Sequence, residues 1–393
     1  MPTDEEILRA RMYRQGVWGG AAPDAPAVLS GLGAMQGQEF AYALWALAQR
    51  VRPDARPGHA DLLAAFDRGD ILRTHVLRPT WHLVRPADVR AMLRATAPRV
   101  RLTMTAWDRQ LGLDRPTLDR AQQILAAQVA GGRHRTRRDL AAALEAAGIP
   151  AAGQRLTHLV THAEFDEVLI SGAMAGKQQT YAAFDERVPP ADPGPDPGTG
   201  PAPGAGTGTD PRNPPPADPP ADPGLVALAA RYAATRAPMT AKDFAGWASL
   251  TITRARAALE AAGCRPEPRA GMTLYGPPAG TPDPPATAPD GPRADLLQGY
   301  DELIMSYSES RSVIVPDGSS LPVLSQEHYL HAVLIDGVLA GHWRHRLATR
   351  TAQVQVEPIR AWSAAERRAV QVAVDEYGRY LDRPVTTDWT PRA

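Results

Sequence analysis

Cysteine and lysine are nearly absent from this chain of 393 residues. The single cysteine, Cys264, excludes a disulfide framework, a cysteine-based zinc ribbon and an iron–sulfur cluster, and it is typical of a reducing compartment. Lysine occurs only at Lys177 and Lys242, so arginine supplies almost every positive charge. Together with the abundant alanine and proline, this bias indicates a GC-rich genome. Arginine content alone therefore does not indicate a nucleic-acid partner.

Long apolar runs and an excess of charge of one sign are also absent. No stretch approaches the roughly 18 consecutive apolar residues of a membrane span. The N-terminal segment MPTDEEILRA is acidic and lacks the apolar run of a signal peptide. Basic and acidic residues both total 43, so the formal net charge is zero. We therefore expect a soluble, cytoplasmic protein that has no membrane partner.

Proline and glycine are concentrated in residues 189–224. Of these 36 positions, 14 are proline and 7 are glycine, and almost none has a side chain suited to burial. This composition predicts a disordered, partly polyproline linker. A second segment rich in the same residues, 276–293, separates the middle of the chain from its C-terminal part.

An order of short helices followed by two short strands begins near residue 25. The segment ILRTHVLRPTWHLV, residues 71–84, predicts two strands around a turn at Arg78-Pro79. Helical spacing of apolar residues precedes it. This order is typical of a winged helix-turn-helix. The helices predicted before the strands are residues 25–32, 38–49 and 61–68.

Two further copies of this order follow. In the second copy, Thr136 and Asp139 predict a capping box at the start of a helix, and Thr240 and Asp243 do the same in the third. The sequence therefore predicts an α+β fold, mainly helical, with about three tandem winged helix-turn-helix modules. The helices and strands predicted for these two copies are residues 118–129, 137–147, 153–163, 167–171, 179–184, 225–234, 253–262, 268–270 and 272–275.

The C-terminal part changes to a β-rich pattern. Asp336-Gly337 between two apolar runs predicts a type I′ hairpin. Ser363 and Glu366 predict the cap of a final helix that ends near Tyr380. We expect a small, barrel-like β-rich domain closed by this helix, with predicted strands at residues 310–315, 331–335, 338–343 and 351–357.

These patterns divide the chain into five predicted segments. The first winged helix-turn-helix carries two glutamines that are discussed below, and the last segment contains the final helix. The segments are residues 1–100 for the first winged helix-turn-helix, 101–188 for the second, 189–224 for the linker, 225–290 for the third winged helix-turn-helix, and 291–393 for the C-terminal β-rich domain.

Arginine clusters indicate where a nucleic acid would lie. Between Arg73 and Arg101 there are seven arginines and one acid, Asp88, which is enough to follow a phosphate backbone from the first predicted wing onwards. Solvated helix faces in an arginine-rich protein are the alternative explanation. A second cluster surrounds Arg344. The residues predicted to contact DNA are Arg73, His75, Arg78, Arg85 and Arg344.

Two glutamines, Gln36 and Gln38, flank Gly37 at the predicted start of the helix 38–49. Burying an amide is costly unless it has hydrogen-bond partners, and at a helix entry both amides can turn into one cleft. Hydrogen bonds that cap the helix are the alternative explanation. The neighbouring Glu39 is a candidate base, although a solvated glutamate on the helix surface is the simpler interpretation.

Other side chains give weaker signals. His342 and His345 have a spacing seen in metal sites, but no third ligand is apparent, so we predict neither a metal nor a cofactor. Trp81 and His82 end the first predicted wing. They either stack on DNA or belong to the core.

Several segments carry a resemblance to a known family. They are GLGAMQGQEFAYALWAL at residues 31–47, ILRTHVLRPTWHLV at 71–84, GQRLTHLVTHAEFDEVLISG, GKQQTYAAFDERVP, LLQGYDELIMSYSESRSVI and HAVLIDGVLAGHWRH. Together they resemble the AlkZ-like, or YcaQ-like, family of bacterial winged-helix DNA glycosylases. The family's catalytic signature, a glutamine, a usually apolar residue, then glutamine or aspartate, maps onto Gln36 and Gln38. Gly37 departs from the apolar residue of the signature.

The resemblance implies a monofunctional DNA glycosylase that cleaves the bond between base and deoxyribose, with Gln36 and Gln38 as catalytic residues. A neutral amide has no useful basicity, so it can only orient water and hydrogen-bond the sugar or base. This favours purines alkylated at N7 or N3, which are already cationic and leave readily. The expected substrate is double-stranded DNA, extending to bulky genotoxin adducts and interstrand crosslinks, in repair or self-resistance. We expect a monomer.

Two other classes of protein compete with this interpretation. A transcriptional regulator built of winged helices needs a basic recognition helix, whereas the segment ADLLAAFDRGD carries Asp61, Asp67 and Asp70 against Arg68. A winged-helix protein scaffold fits the neutral net charge. It does not explain the seven arginines from residue 73 to residue 101.

Overall fold

A computed structural model describes residues 3–190, 222–269, 271–285, 291–314 and 331–389 of the chain. The fold is mixed α+β, as predicted, and about half of the described residues are helical. The helices α1 to α14 are Asp4–Arg14, Ala25–Leu32, Phe40–Gln49, His59–Arg68, Pro86–Gln110, Arg115–Val129, Arg137–Ala146, Gly153–Phe165, Phe184–Arg187, Pro223–Arg236, Ala241–Trp247, Ile252–Ala261, Glu302–Met305 and Ala364–Leu381.

Fourteen strands lie between these helices in the described residues. The strands β1 to β14 are Ala34–Gln36, Leu72–His75, Trp81–Val84, Arg135–Thr136, Leu169–Ser171, Thr180–Ala183, Met239–Thr240, Pro266–Arg269, Met272–Tyr275, Ala294–Leu296, His331–Ile335, Val338–Leu347, Ala352–Pro358 and Val385–Asp388. Two short 3-10 helices complete the list, Pro53–Ala55 and Arg311–Ile314.

Three of the sheets share one design. Each consists of an antiparallel hairpin and one short strand that comes from earlier in the chain and pairs with the second strand of the hairpin. Their strand orders are β1-β3-β2, β4-β6-β5 and β7-β9-β8. The short strand directly precedes a helix in the second and third sheets, so the pairing fixes where that helix begins.

Local sequence signals set several element ends as predicted. The capping boxes at Thr136, Thr240 and Ser363 are all formed, and each satisfies N–H groups at a helix start. The hairpin between β11 and β12 is also confirmed. Asp336 and Gly337 have φ of 52° and 81°, the two positive values that a type I′ turn requires.

Two predictions of secondary structure are wrong. Gln36 ends strand β1 rather than preceding a helix, and α3 begins later than predicted, at Phe40. The segment predicted as a strand from residue 310 instead forms the 3-10 helix Arg311–Ile314, and residue 315 lies outside the described residues. The cause is tertiary, because Asp243 accepts hydrogen bonds from the backbone and hydroxyl of Ser310 and holds that turn.

The longest helix, α5, joins the first and second copies. It has 25 residues, and the domain boundary predicted between residues 100 and 101 falls inside it. One face buries Val89, Leu93 and Val100, which belong to the core that also contains residues of α10 to α12. The first and third copies are therefore packed against each other through α5.

The C-terminal region is a curled five-stranded sheet in the order β10-β11-β12-β13-β14. Its strands are antiparallel except for the parallel pair β13 and β14. Buried residues of this sheet and of α14 share one core with α2, α3 and α4. Trp45 of α3 donates a hydrogen bond to the carbonyl of Leu296 at 2.9 Å. This packing brings the C-terminal region beside the two glutamines.

Most of the predicted linker, residues 191–221, lies outside the described residues. At its end, Asp222 caps α10, which begins at Pro223 inside the predicted linker. Among the helices that the structure describes, none is both long enough and apolar enough to span a bilayer.

Candidate active site

The segment from Gln36 to Gln38 connects β1 with α3, and the hairpin β2-β3 holds it in place. Gln36 pairs with His82 across the sheet, and the N–H of Gly37 donates to the carbonyl of Trp81 at 2.7 Å. The N-cap residue of α3 is Glu39, and no side chain caps this helix. The explanation of the two glutamines as helix caps is therefore wrong.

The side chain of Gln36 is buried, with 1% of its surface exposed. Its Oε1 accepts a hydrogen bond of 2.6 Å from Nη2 of Arg78. A guanidinium can only donate, so the atom it contacts must be the carbonyl oxygen of the amide, and the NH₂ group points away from Arg78. Arg78 thus determines which end of the Gln36 amide remains available.

The backbone of Gln36 is held by the C-terminal region. Its N–H donates to Oε1 of Glu302 at 2.9 Å, and its carbonyl accepts from Nε2 of Gln298 at 3.1 Å. Both partners are buried. The position of Gln36 therefore depends on residues more than 260 positions away in the chain.

Glu302 is the centre of a buried polar network. Its carboxylate accepts hydrogen bonds from Arg236 at 2.7 Å, Trp247 at 2.9 Å and Ser306 at 2.7 Å. Burial alone would raise the pKa of Glu302, but the positive charges of Arg236 and Arg78 outweigh it and lower the pKa to about 2. The carboxylate is therefore ionised, and it links Gln36 to the third copy.

Gln38 differs from Gln36 because it is exposed. Its Oε1 lies 3.4 Å from the N–H of Trp81, a long contact that leaves the carbonyl available. The backbone around it is fixed by Arg73, which donates to the carbonyl of Gly37 at 2.8 Å and to that of Gln38 at 3.1 Å. Burial lowers the pKa of Arg73 to about 10, so the side chain stays protonated at neutral pH.

Gly37 lies against Leu83 of β3. A Cβ at position 37 would stand 3.2 Å from Cγ of Leu83, closer than most real contacts, and the glycine has no positive φ. The side chain of Leu83 therefore occupies the space into which a residue larger than glycine would extend. This packing gives a local reason for glycine at the middle position.

Glu39 turns towards the C-terminal sheet. Its Oε2 lies 3.1 Å from Nε2 of His331, while Nδ1 of His331 accepts a hydrogen bond of 2.8 Å from the N–H of Gly299. Burial lowers the pKa of His331 to about 3, so the ring is neutral and carries its hydrogen on Nε2. Burial also raises the pKa of Glu39. The carboxyl group of Glu39 thus faces His331 and takes no part in the hydrogen bonds of the Gln36 and Gln38 amides.

The five residues predicted to contact DNA lie in different environments in the structure. His75 is buried and pairs with Glu164, and the guanidinium of Arg78 points inward to Gln36. Nδ1 of His75 and Nη2 of Arg78 are thus bonded inside the protein, and a contact of either residue with DNA remains a prediction. Arg73 donates to the backbone of residues 36–38, which we call the glutamine segment. Arg85 pairs with Asp88 at 2.8 Å, and Arg344 is exposed on β12.

Glu302, Gln298 and Arg236 were missed by the sequence reading. All three are buried polar residues, and buried polar groups are normally hydrogen-bonded. Nothing in their spacing identifies Gln36 as the partner. No group of three or more side chains suited to a metal ion occurs in the part of the chain that the structure describes.

Comparisons with known proteins agree with the resemblance noted above. The model of a family described as DNA glycosylase AlkZ-like matches residues 29–380. The fold is similar to the solved structure of Streptomyces sahachiroi DNA glycosylase AlkZ, with a TM-score of 0.69 and 18% sequence identity, over 98% of this chain and 99% of that chain. No curated protein matches the chain.

Proposed function

The chain belongs to the AlkZ-like family of DNA glycosylases, and from this premise we propose that it is a monofunctional glycosylase that removes cationic alkylpurines from double-stranded DNA. Gln36 and Gln38 are its catalytic residues. The observation that carries the proposal is the contrast between the two amides, one oriented by Arg78 and the other open to solvent.

The two amides have different tasks. The side-chain carbonyl of Gln36 is occupied by Arg78, so the NH₂ group of the same amide donates to an acceptor on the sugar or the purine. The side-chain carbonyl of Gln38 has only the long contact to Trp81 and accepts a hydrogen bond from the attacking water. Holding water and sugar in reacting geometry lowers the barrier without a base.

The neutral chemistry of the pair favours a leaving group that is already cationic. Two amides carry no charge with which to stabilise the positive charge that develops on the sugar, so the base itself must leave readily. No carboxylate among the described residues is hydrogen-bonded to the side-chain amide of Gln36 or Gln38. The C1′–N9 bond breaks with its electron pair passing to the N7- or N3-alkylated purine, which leaves neutral. Water adds its oxygen to C1′ and releases a proton to solvent.

The rest of the chain binds the duplex. We infer that the three sheets of similar design, each a hairpin plus a short strand before helical segments, are winged helix-turn-helix modules. Arg344 on the exposed side of β12 contacts phosphate. The exposure of Gln38 leaves room for substituents larger than methyl, so bulky adducts and interstrand crosslinks are included in the proposed substrates. We expect the protein to act as a monomer.

The test is excision of N7-methylguanine from a duplex, scored by alkaline cleavage of the abasic site. Removing one positioned hydrogen-bonding group typically costs roughly 10²- to 10³-fold in rate. We expect that loss for Gln36→Ala and for Gln38→Ala, with affinity for undamaged DNA within about threefold because phosphate contacts set affinity. Gln123→Ala, on the exposed face of α6, is the matched control and should cut at the wild-type rate. Wild-type rates in both alanine variants would remove the pair from the mechanism.

A further inference from the structure

A cavity of about 580 Å³ lies between the hairpin β2-β3 and the helices α7 and α8. It shares Arg73 and Trp81 with the glutamine segment, because Arg73 binds the carbonyl of Gln38 and Trp81 contacts its amide. The cavity therefore adjoins Gln38 but is not occupied by either amide. We call it the Trp81 cavity.

The Trp81 cavity is positively charged. Its lining contains the guanidinium groups of Arg73, Arg137 and Arg138 and no carboxylate. Arg137 donates to Oγ1 of Thr157 at 2.8 Å, which fixes its position, whereas Arg138 is exposed. The donors of Arg73 are taken up by Gly37, Gln38 and Gln179, so Arg137 and Arg138, with no carboxylate in the lining, are the groups suited to a phosphate.

The cavity also presents aromatic surface. The guanidinium of Arg73 lies over the Trp81 ring, 4.5 Å from its centroid, and the ring of Tyr181 lies 6.3 Å from that of Trp81. Trp81 is partly exposed, whereas Tyr181 is buried. A partly exposed aromatic ring beside cationic groups is an arrangement on which proteins stack unpaired bases.

One polar atom at this cavity lacks a partner. Gln179, which lines the cavity, accepts a hydrogen bond from Arg73 through Oε1, so its other amide atom is the donor Nε2. Nε2 is buried and has no hydrogen-bond partner among the described residues. A buried donor without a partner is costly, and a nucleobase supplies the acceptor that an apolar group would not.

We propose that the Trp81 cavity binds an unpaired nucleotide that adjoins the lesion. Its base stacks on Trp81 and accepts a hydrogen bond from Gln179, and its phosphate contacts Arg137 and Arg138. This inference rests on the proposed function, since it places the nucleotide beside the DNA that Gln38 acts on. Capture of a neighbouring nucleotide holds the strand open without requiring the damaged base to enter the protein.

The experiment measures equilibrium binding of the full chain to two undamaged duplexes, one fully paired and one with a single-nucleotide bulge. Stacking of one base typically contributes enough to tighten binding roughly tenfold, so we expect the wild type to prefer the bulged duplex by about that factor. Ala141→Trp fills the cavity from α7 and should abolish the preference. Ala142→Trp places the same ring on the exposed face of that helix and should keep it.

A second variant guards against misfolding of Ala141→Trp. Arg138→Ala changes an exposed residue of the cavity and should reduce the preference by about threefold, while Arg133→Ala removes the same charge outside the cavity and should not. Equal binding of both duplexes by the wild type overturns the inference. So does an equal loss of the preference in Ala141→Trp and Ala142→Trp.

Excision of N7-methylguanine by the wild type is measured in parallel. Absence of excision together with a bulge preference that Ala141→Trp abolishes would refute the proposed function and leave the cavity assignment standing. Normal excision together with no bulge preference would refute only the cavity assignment. The two proposals therefore fail through different measurements.

Discussion

The amide of Gln36 is oriented by a side chain that, from the sequence, was expected on the DNA surface. Arg78 donates through Nη2 to the side-chain carbonyl of Gln36 and through Nη1 to the backbone carbonyl of Trp247 at 3.3 Å. Burial lowers the pKa of Arg78, and the charge of Glu302 opposes that shift. We therefore expect Arg78 to affect excision through Gln36 and not through phosphate binding.

This assignment gives opposite expectations for two arginines. Arg78→Ala removes the donor on Gln36 and should lower excision at least tenfold, with no change in how binding to undamaged DNA depends on salt. Arg344→Ala, at an exposed position, should instead make the log-log salt slope shallower by about one. Titrations at several salt concentrations measure both slopes. A shallower slope for Arg78→Ala would return that residue to the DNA interface.

Glu302 predicts how stability depends on pH. Its pKa of about 2 lies below the ordinary value of 4.5, so the stability it contributes is fully present above about pH 4.5 and is lost as the pH falls towards 2. This lowering of the pKa corresponds to about 3 kcal/mol of stabilisation of the folded protein. Glu302→Gln should lower the free energy of unfolding by at least that amount at pH 7, since it leaves Arg236 buried without its partner. The variant should also lose less stability than the wild type as the pH falls below 4.5.

Glu366 is the matched control for this prediction. Its hydrogen bonds from Arg360 and from the backbone of Ser363 lower its pKa to about 2 as well, but it caps α14 close to solvent. Screening by water reduces the value of such a group, so Glu366→Gln should cost less than about 1 kcal/mol. Urea unfolding at pH 7 compares the two variants. Equal losses would show that Glu302 acts only as a local hydrogen-bond acceptor.

At the scale of elements, two capping boxes of the same local design make different tertiary contacts. Asp139 and Asp243 occupy the same position in two capping boxes. Asp139 is exposed, whereas Asp243 is buried and also accepts hydrogen bonds from the N–H groups of Ser308 at 2.8 Å and Glu309 at 2.7 Å. The capping box that begins α11 therefore also anchors the turn after α13.

The two aspartates give a direct test of that difference. Asp139→Ala removes one half of an exposed capping box and should lower the free energy of unfolding only slightly. Asp243→Ala also leaves several buried donors without an acceptor and should cost roughly 3 to 5 kcal/mol. Denaturant unfolding of both variants measures the difference. Losses of similar size would mean that the turn at Ser308 and Glu309 is held by other contacts.

At the scale of the whole molecule, buried arginines join distant parts of the chain. Arg11 of α1 donates to the carbonyls of Pro238 and Ser310, and Arg50 pairs with Asp301 at 2.6 Å. A buried guanidinium is costly unless most of its donors are bonded, so these contacts fix the relative positions of the elements they connect. The helices of the first and third copies and the C-terminal sheet therefore support Gln36 together.

The proline-rich segment should contribute little to this packing. Its composition offers too few apolar side chains to offset the entropy of ordering the chain. Replacing residues 191–221 with a Gly/Ser sequence of equal length should leave the melting temperature and the DNA affinity unchanged, with Asp222 kept because it caps α10. Thermal melts and binding titrations check this prediction. A fall of several degrees would show that the segment packs against the rest of the protein.

The sequence by itself determined the elements whose signals are local. Capping boxes fix the starts of α7, α11 and α14, and Asp336-Gly337 fixes a hairpin, because each signal acts within a few residues. Strand β1 was not predictable in this way. It has three residues, all buried, so no alternation of polar and apolar side chains distinguishes it.

The tertiary structure decided what the polar residues of the site do. Sequence patterns single out Gln36 and Gln38, but the partners of Gln36 are Arg78, Gln298 and Glu302, which come from two distant parts of the chain. An arginine in a surface-like sequence pattern turns inward when a buried acceptor lies within reach. Leaving that acceptor unpaired costs more free energy than removing water from the arginine. That choice depends on which elements pack together, and local sequence does not record it.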